Sequence, residues 1–125
     1  LSANTAEING YNSGELEDDW LILPGITLNQ NTVSLNFDLW RKYGEDDVNN
    51  FFKVYYSTDY EGIRDPSFAT WHELTFTFPS VDETWINSGN IDLSDIIGSP
   101  VYIGFRYHYN VDKYVHWQID NVVIQ

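Results

Sequence analysis

Runs in which every second side chain is apolar recur along the whole chain, and each stops at a cluster of Gly, Pro, Asn or Asp. Successive side chains of an extended strand point to opposite faces, so runs of this kind bury one face each when they form strands. The 3.6-residue spacing of an amphipathic helix is nearly absent. The pattern predicts strands over 5–10, 19–24, 32–40, 51–57, 71–78, 85–93, 101–109 and 114–124, with one helical turn within 92–98. Loops are predicted over 12–18, 42–50, 58–69 and 78–83. Many short strands separated by turn residues mark an all-β sandwich or barrel. No repeat, linker or low-complexity tail divides the chain, so one domain over residues 1–125 is expected.

Strand 32–40 alternates cleanly, with Val33, Leu35, Phe37 and Leu39 on one face and Asn36, Asp38 and Trp40 on the other. Over 51–57, Phe52, Val54 and Tyr56 oppose Lys53 and Tyr55. The last two strands are predicted to form a hairpin. A three-residue loop, Val111 to Lys113, sets Phe105 opposite Ile119 and Tyr107 opposite Trp117, with Arg106 facing Gln118 and His108 facing His116. A one-residue slip mixes the faces, so the alternation selects this register.

Charge narrows the function. Nineteen acidic residues stand against six Lys and Arg, giving a net charge of −13. A field of that sign repels nucleic acid, anionic membranes and sulfated or uronic polysaccharides. It suits a neutral glycan, a divalent cation or plain solubility. With no cysteine there is no disulfide, thiolate zinc site or cysteine nucleophile. No apolar run approaches the ~18 residues of a membrane-spanning helix. The chain starts without Met, as expected of a processed or excised piece of a larger protein.

Several stretches carry a family likeness. EDDWLILPGITLN, FKVYYSTD, Trp71 followed by HEL, WINSGNIDLSDIIGSPVYIGFRY and WQIDNVVI occur in that order, the likeness running from Asp19 to Ile124. In this order they resemble the choice-of-anchor J group of bacterial extracellular modules, related to the cleaved adhesin domains of gingipain proteases and to MAM-type jelly rolls. The resemblance implies a jelly-roll β-sandwich of two antiparallel sheets, secreted or on the cell surface, without catalytic apparatus. It also implies adhesion or carbohydrate binding, often with a structural Ca²⁺. Trp20, Trp71, Trp85 and Trp117 fall on its motif positions and are expected in the core. The closing motif departs from the family, reading Asp120-Asn121 where two Asp are usual. The usual opening strand is also not evident.

By jelly-roll analogy, strands 32–40, 51–57, 101–109 and 114–124 are expected to share one sheet. Its outer face then gathers Asp38, Trp40, Tyr55, Arg106, His108, His116 and Gln118 as a carbohydrate site, with Trp40 as the stacking ring. Sugars call for this mixture of flat rings and groups that bond hydroxyls. For Ca²⁺, which takes six to eight oxygen ligands, the candidates are Glu15, Glu17, Asp18 and Asp120, with the chain ends meeting. His108 and His116 facing each other would suit Zn²⁺ if Asp38 joined them. A site on the loops instead would draw on Tyr43, Tyr60 and Phe68. No G-x-S-x-G, HExxH or Ser-His-Asp pattern points to an enzyme. Two readings stand: a carbohydrate-binding module, or an adhesin or spacer whose partner is a protein.

Overall fold

The computed structural model describes residues 4–43, 50–109 and 114–125. Among these residues ten strands form two antiparallel sheets: β1 Ala6–Asn9, β2 Glu17–Ile22, β3 Ile26–Thr27, β4 Ser34–Lys42, β5 Phe52–Ser57, β6 His72–Leu74, β7 Ile86–Asn87, β8 Ile91–Asp92, β9 Pro100–Tyr109 and β10 His116–Ile124. The first sheet runs β1-β10-β4-β7, with β8 also on β4; the second runs β2-β9-β5-β6, with β3 also on β9. Packed face to face they make a jelly-roll-like β-sandwich. The predicted strand 85–93 is broken at Ser88-Gly89-Asn90 into β7 and β8, which pair with β4 in succession. The predicted helical turn is a 3₁₀ turn at Ser94–Ile96.

Alternation sorts the faces as expected. Leu35, Phe37 and Leu39 of β4 are fully buried, as are Val54 of β5 and Ile103, Phe105 and Tyr107 of β9. Each such side chain contributes about 1.5–3 kcal/mol by leaving water. Aromatic contacts tie the sheets together across this core. Phe37 of β4 meets Phe105 of β9 edge-on at 5.2 Å, and Trp117 of β10 stacks on Phe52 of β5 at 5.0 Å.

The predicted closing hairpin does not form. β9 pairs with β2 and β5, while β10 lies in the other sheet between β1 and β4. The apolar faces of β9 and β10 do meet, but across the core rather than side by side. Period-2 alternation is satisfied equally by both arrangements, which is why it misled. The predicted loop Val111–Lys113 lies outside the described residues. Tyr107 holds the incoming end of β10 from within: its hydroxyl donates to the Val115 carbonyl at 3.0 Å and accepts from the Val115 N–H at 3.2 Å.

A bulge between Asp120 and Val123 interrupts the register of β10 against β4. Asn121 takes φ = 51°, a left-handed conformation that Asn tolerates better than most residues. Its amide donates to Asp38 Oδ2 at 2.8 Å, a bond that an ionised aspartate there cannot make.

Candidate functional site

Because the strands expected to share one sheet are divided between two, the predicted carbohydrate site is divided as well. Asp38, Trp40, His116 and Gln118 stand on the outer face of the first sheet; Tyr55, Arg106 and His108 stand on the outer face of the second. On the first sheet the groups are occupied with one another. Trp40 packs edge-on against His116 at 5.2 Å. His116 and Gln118 both reach Glu7 of β1 at 3.3 Å. Asp38 accepts from the amides of Asn87 and Asn121. The zinc pairing of His108 with His116 is undone by the same division, since His108 lies opposite Asp18 of β2 and His116 opposite Lys42 of β4.

The calcium candidates are dispersed too. Glu17 and Asp18 lie on β2 in the second sheet with Glu15 just before them, whereas Asp120 pairs in register with Asp38 in the first. Among the described residues no group of three or more His, Cys, Asp or Glu is placed to hold a metal ion.

The second sheet's outer face carries a groove of about 620 Å³. Its floor is aromatic. Trp20 of β2 lies 4.7 Å from Trp71 and 5.5 Å from Tyr55, ring centre to ring centre, and Tyr60 lies 5.4 Å from Trp71. These indoles were expected in the core, and only Trp117 of the four is buried there. What lets them lie on the sheet is Gly104 of β9. A Cβ there would stand 2.9 Å from a Trp20 ring carbon, closer than real contacts come, and 3.0 Å from one of Trp71, tighter than most. A glycine inside a strand marks such close approaches. Gly104 in VYIGFRY was the sequence signal that could have pointed to this face.

Along the floor sits a fixed polar pair. The Arg106 Nε and Nη2 donate to the two oxygens of Asp18 at 2.7 and 2.9 Å, and the guanidinium lies 5.3 Å from the Trp20 ring centre. Bidentate pairing of this kind fixes orientation as well as charge. The face continues past Arg106 to Lys53, whose amine donates to both oxygens of Glu73 at 2.9 Å, and to His108.

The connection from β5 to β6 walls the other side. Asp59 joins its two ends, accepting from the Ser57 hydroxyl at 2.7 Å and the Thr70 N–H at 2.9 Å. Asp65 caps the 3₁₀ turn Pro66–Phe68 by accepting from the Ser67 N–H at 2.9 Å. The Trp71 indole N–H donates to the Pro66 carbonyl at 2.9 Å, and the Tyr60 hydroxyl donates to the Arg64 carbonyl at 2.9 Å. Tyr102 of β9 lies beneath, edge-on to Tyr60 at 5.1 Å, in close contact with Gly25 and Gly62, where an added Cβ would meet a ring carbon at 2.6 Å and the hydroxyl oxygen at 2.7 Å respectively. Of the loop-site alternatives, Tyr60 therefore lines the groove, while Phe68 is 76% exposed. Tyr43 packs near Tyr114 at 5.9 Å.

Three carboxylates border the groove. The Arg106 hydrogen bonds hold Asp18 below the ordinary range, and the Ser67 hydroxyl and N–H do the same for Asp65. Asp19 shifts upward, through partial desolvation and the neighbouring Glu17 and Asp18. For Asp18 the depressed folded value means stabilisation that is complete above the unfolded value near 3.9 and is lost as pH falls through the folded one. Since this side chain is half exposed, the effect is under about 1 kcal/mol. In thermal melts, wild type is expected to exceed Asp18→Asn by a small margin above about pH 5, with the curves converging toward about pH 2.

The chain belongs to the family described as Domain of unknown function (DUF5017), whose model matches residues 3–125. No curated protein matches it.

Proposed function

We propose that this domain is a non-catalytic carbohydrate-binding module of a secreted or cell-surface bacterial protein, receiving a neutral polysaccharide in the groove of the second sheet. The observation that carries this reading is the pair of indoles, Trp20 and Trp71, laid over Gly104 beside the Arg106–Asp18 fork. A sugar ring offers an apolar C–H face, which stacks on flat aromatic surface, and an edge of hydroxyls, which need fixed donors and acceptors. The groove supplies both within one concavity. Asp18 and Asp65, held ionised by their own partners, serve as acceptors whose positions are already set.

The overall charge supports the choice of a neutral ligand. Among the described residues every Lys and Arg already has a carboxylate within 4 Å: Arg41 with Asp82, Lys42 with Glu83, Lys53 with Glu73, Arg64 with Glu61 and Arg106 with Asp18. An acidic polysaccharide finds no spare cation there.

The test is a glycan array spanning neutral and acidic polysaccharides, followed by calorimetry on any ligand found. Trp71→Ala is expected to weaken binding about tenfold or more, as removal of a central aromatic anchor does. Trp40→Ala, on the opposite sheet, is expected to leave it unchanged. Binding is expected to persist in EDTA, since stacking and hydrogen bonding need no cation. Silence across the array by a folded domain would sink the reading and favour the adhesin or spacer role. Equal losses in the Trp40 and Trp71 variants would place the site elsewhere.

A further inference from the structure

The sandwich has a second concavity, on a different side from the groove. β1 borders the first sheet and β2 the second, and among the described residues each pairs with a single neighbour, β10 and β9 respectively. Both free edges lie along the same flank. Between them opens an apolar slot of about 240 Å³. Its rims are Ile8 of β1 and Leu21 of β2, and its floor includes Phe105, Trp117 and Ile119 of the core. Leu21 faces inward by register, opposite Phe105, yet remains 44% exposed. The indole N–H of Trp117, a floor residue only 1% exposed, has no hydrogen-bond partner among the described residues.

The β2 rim has a second unusual feature. Its inward-facing positions alternate as Glu17, Asp19 and Leu21, opposite Tyr109, Tyr107 and Phe105. Two of the three positions that should extend the core therefore carry carboxylates, and Glu7 of β1 borders the slot from the other side. Inward charges on an edge strand block pairing with a like-charged strand. They do so here against a second copy of this chain, which carries −13. Against a strand of opposite charge they attract. Partial burial, and after it the neighbouring Glu17 and Asp18, raise the proton affinity of Asp19, so a cation placed there would offset both costs.

We infer that the flank between β1 and β2 is a docking site for an extended segment of a protein partner, which adds as a strand to the free edge of β2. The segment's inward side chains read apolar opposite Leu21 and basic opposite Asp19 and Glu17. Main-chain hydrogen bonds to an exposed edge supply affinity in this mode, and alternate side chains supply specificity. Asp19 and Trp20 border both concavities, but the inference does not rest on the glycan reading of the groove.

The test uses the intact chain and two blocked synthetic peptides: one of threonine alternating with leucine and lysine, the other with glutamate in place of lysine. Amide hydrogen exchange followed by NMR reads the result. The lysine peptide is expected to protect the β2 amides that face away from β9 and to shift the Trp117 indole resonance. Asp19→Lys, an exposed change whose fold is checked by circular dichroism, is expected to bind it about tenfold more weakly, as loss of an interfacial charge pair does. Protection elsewhere but not along β2, equal binding of the glutamate peptide, or unchanged binding by Asp19→Lys would each overturn the inference. So would a concentration-dependent dimer protecting the same amides, since a second copy would then be the occupant.

Discussion

Phe37→Ala is expected to destabilise the domain by about 3–5 kcal/mol, the usual cost of removing a buried phenylalanine ring. Phe37 has no exposed surface, and its ring meets Phe105 at 5.2 Å and Phe76 at 5.3 Å. Through Phe105 it joins β4 of one sheet to β9 of the other, so the cavity opens at the junction of the layers. Both layers are fixed by their own ladders and can collapse inward only slightly. For a domain whose total stability falls in the common range of about 5–15 kcal/mol, that loss is a large fraction. Urea titration is the direct check. The midpoint should fall sharply while the slope stays that of the parent, as for a change in stability alone. A shift of less than about 1 kcal/mol would mean that the sheets do not depend on this contact.

Gly104→Ala is expected to have the larger effect on binding. The new methyl would stand about 3 Å from ring carbons of both Trp20 and Trp71, so the indoles must lift or β9 must move. Forced overpacking costs typically about 1–3 kcal/mol. The backbone itself is not the difficulty: Gly104 sits in a regular strand between Ile103 and Phe105, and its φ is not positive. The strain thus falls on the two rings proposed to carry the ligand, and affinity for a groove ligand should drop with them. Adding Trp71→Ala should recover part of the stability, because one of the colliding rings is gone, but none of the binding. Tryptophan fluorescence and calorimetry on the two variants separate these outcomes. Parental affinity in Gly104→Ala would mean that the indole pair is not the platform.

Both expectations bear on what the sequence made legible. Where one face is polar, inside and outside could be read residue by residue, because alternation follows from strand geometry alone: in β4, Phe37 inward and Trp40 outward are where the pattern puts them. Partnership could not be read. Whether two alternating strands lie in one sheet or face each other across a core is decided by long-range packing, and both leave the same trace. That ambiguity parted Arg106 from Gln118 and His108 from His116. It also left Trp40 as the favoured ring, although the concave face belongs to Trp20 and Trp71. In DWLILP both faces are apolar, so the pattern gives no reason to put Trp20 outside. Tyr55, Arg106 and His108 were placed together correctly because their strands, β5 and β9, are true neighbours.

The clasp around Tyr102 bears on the thermodynamics of recognition. The segment between β5 and β6 is fastened through Asp59, Pro66 and the contacts of Tyr60 and Gly62 with that one ring. A wall tied down at so many points has little motional freedom left to surrender when a ligand arrives. The entropic penalty that flexible lids pay on closing is then largely absent, and a preorganised surface keeps more of its contact energy as affinity. Association should proceed in a single kinetic phase, with no slow rearrangement after encounter. Differences among ligands should then show in how long each stays bound.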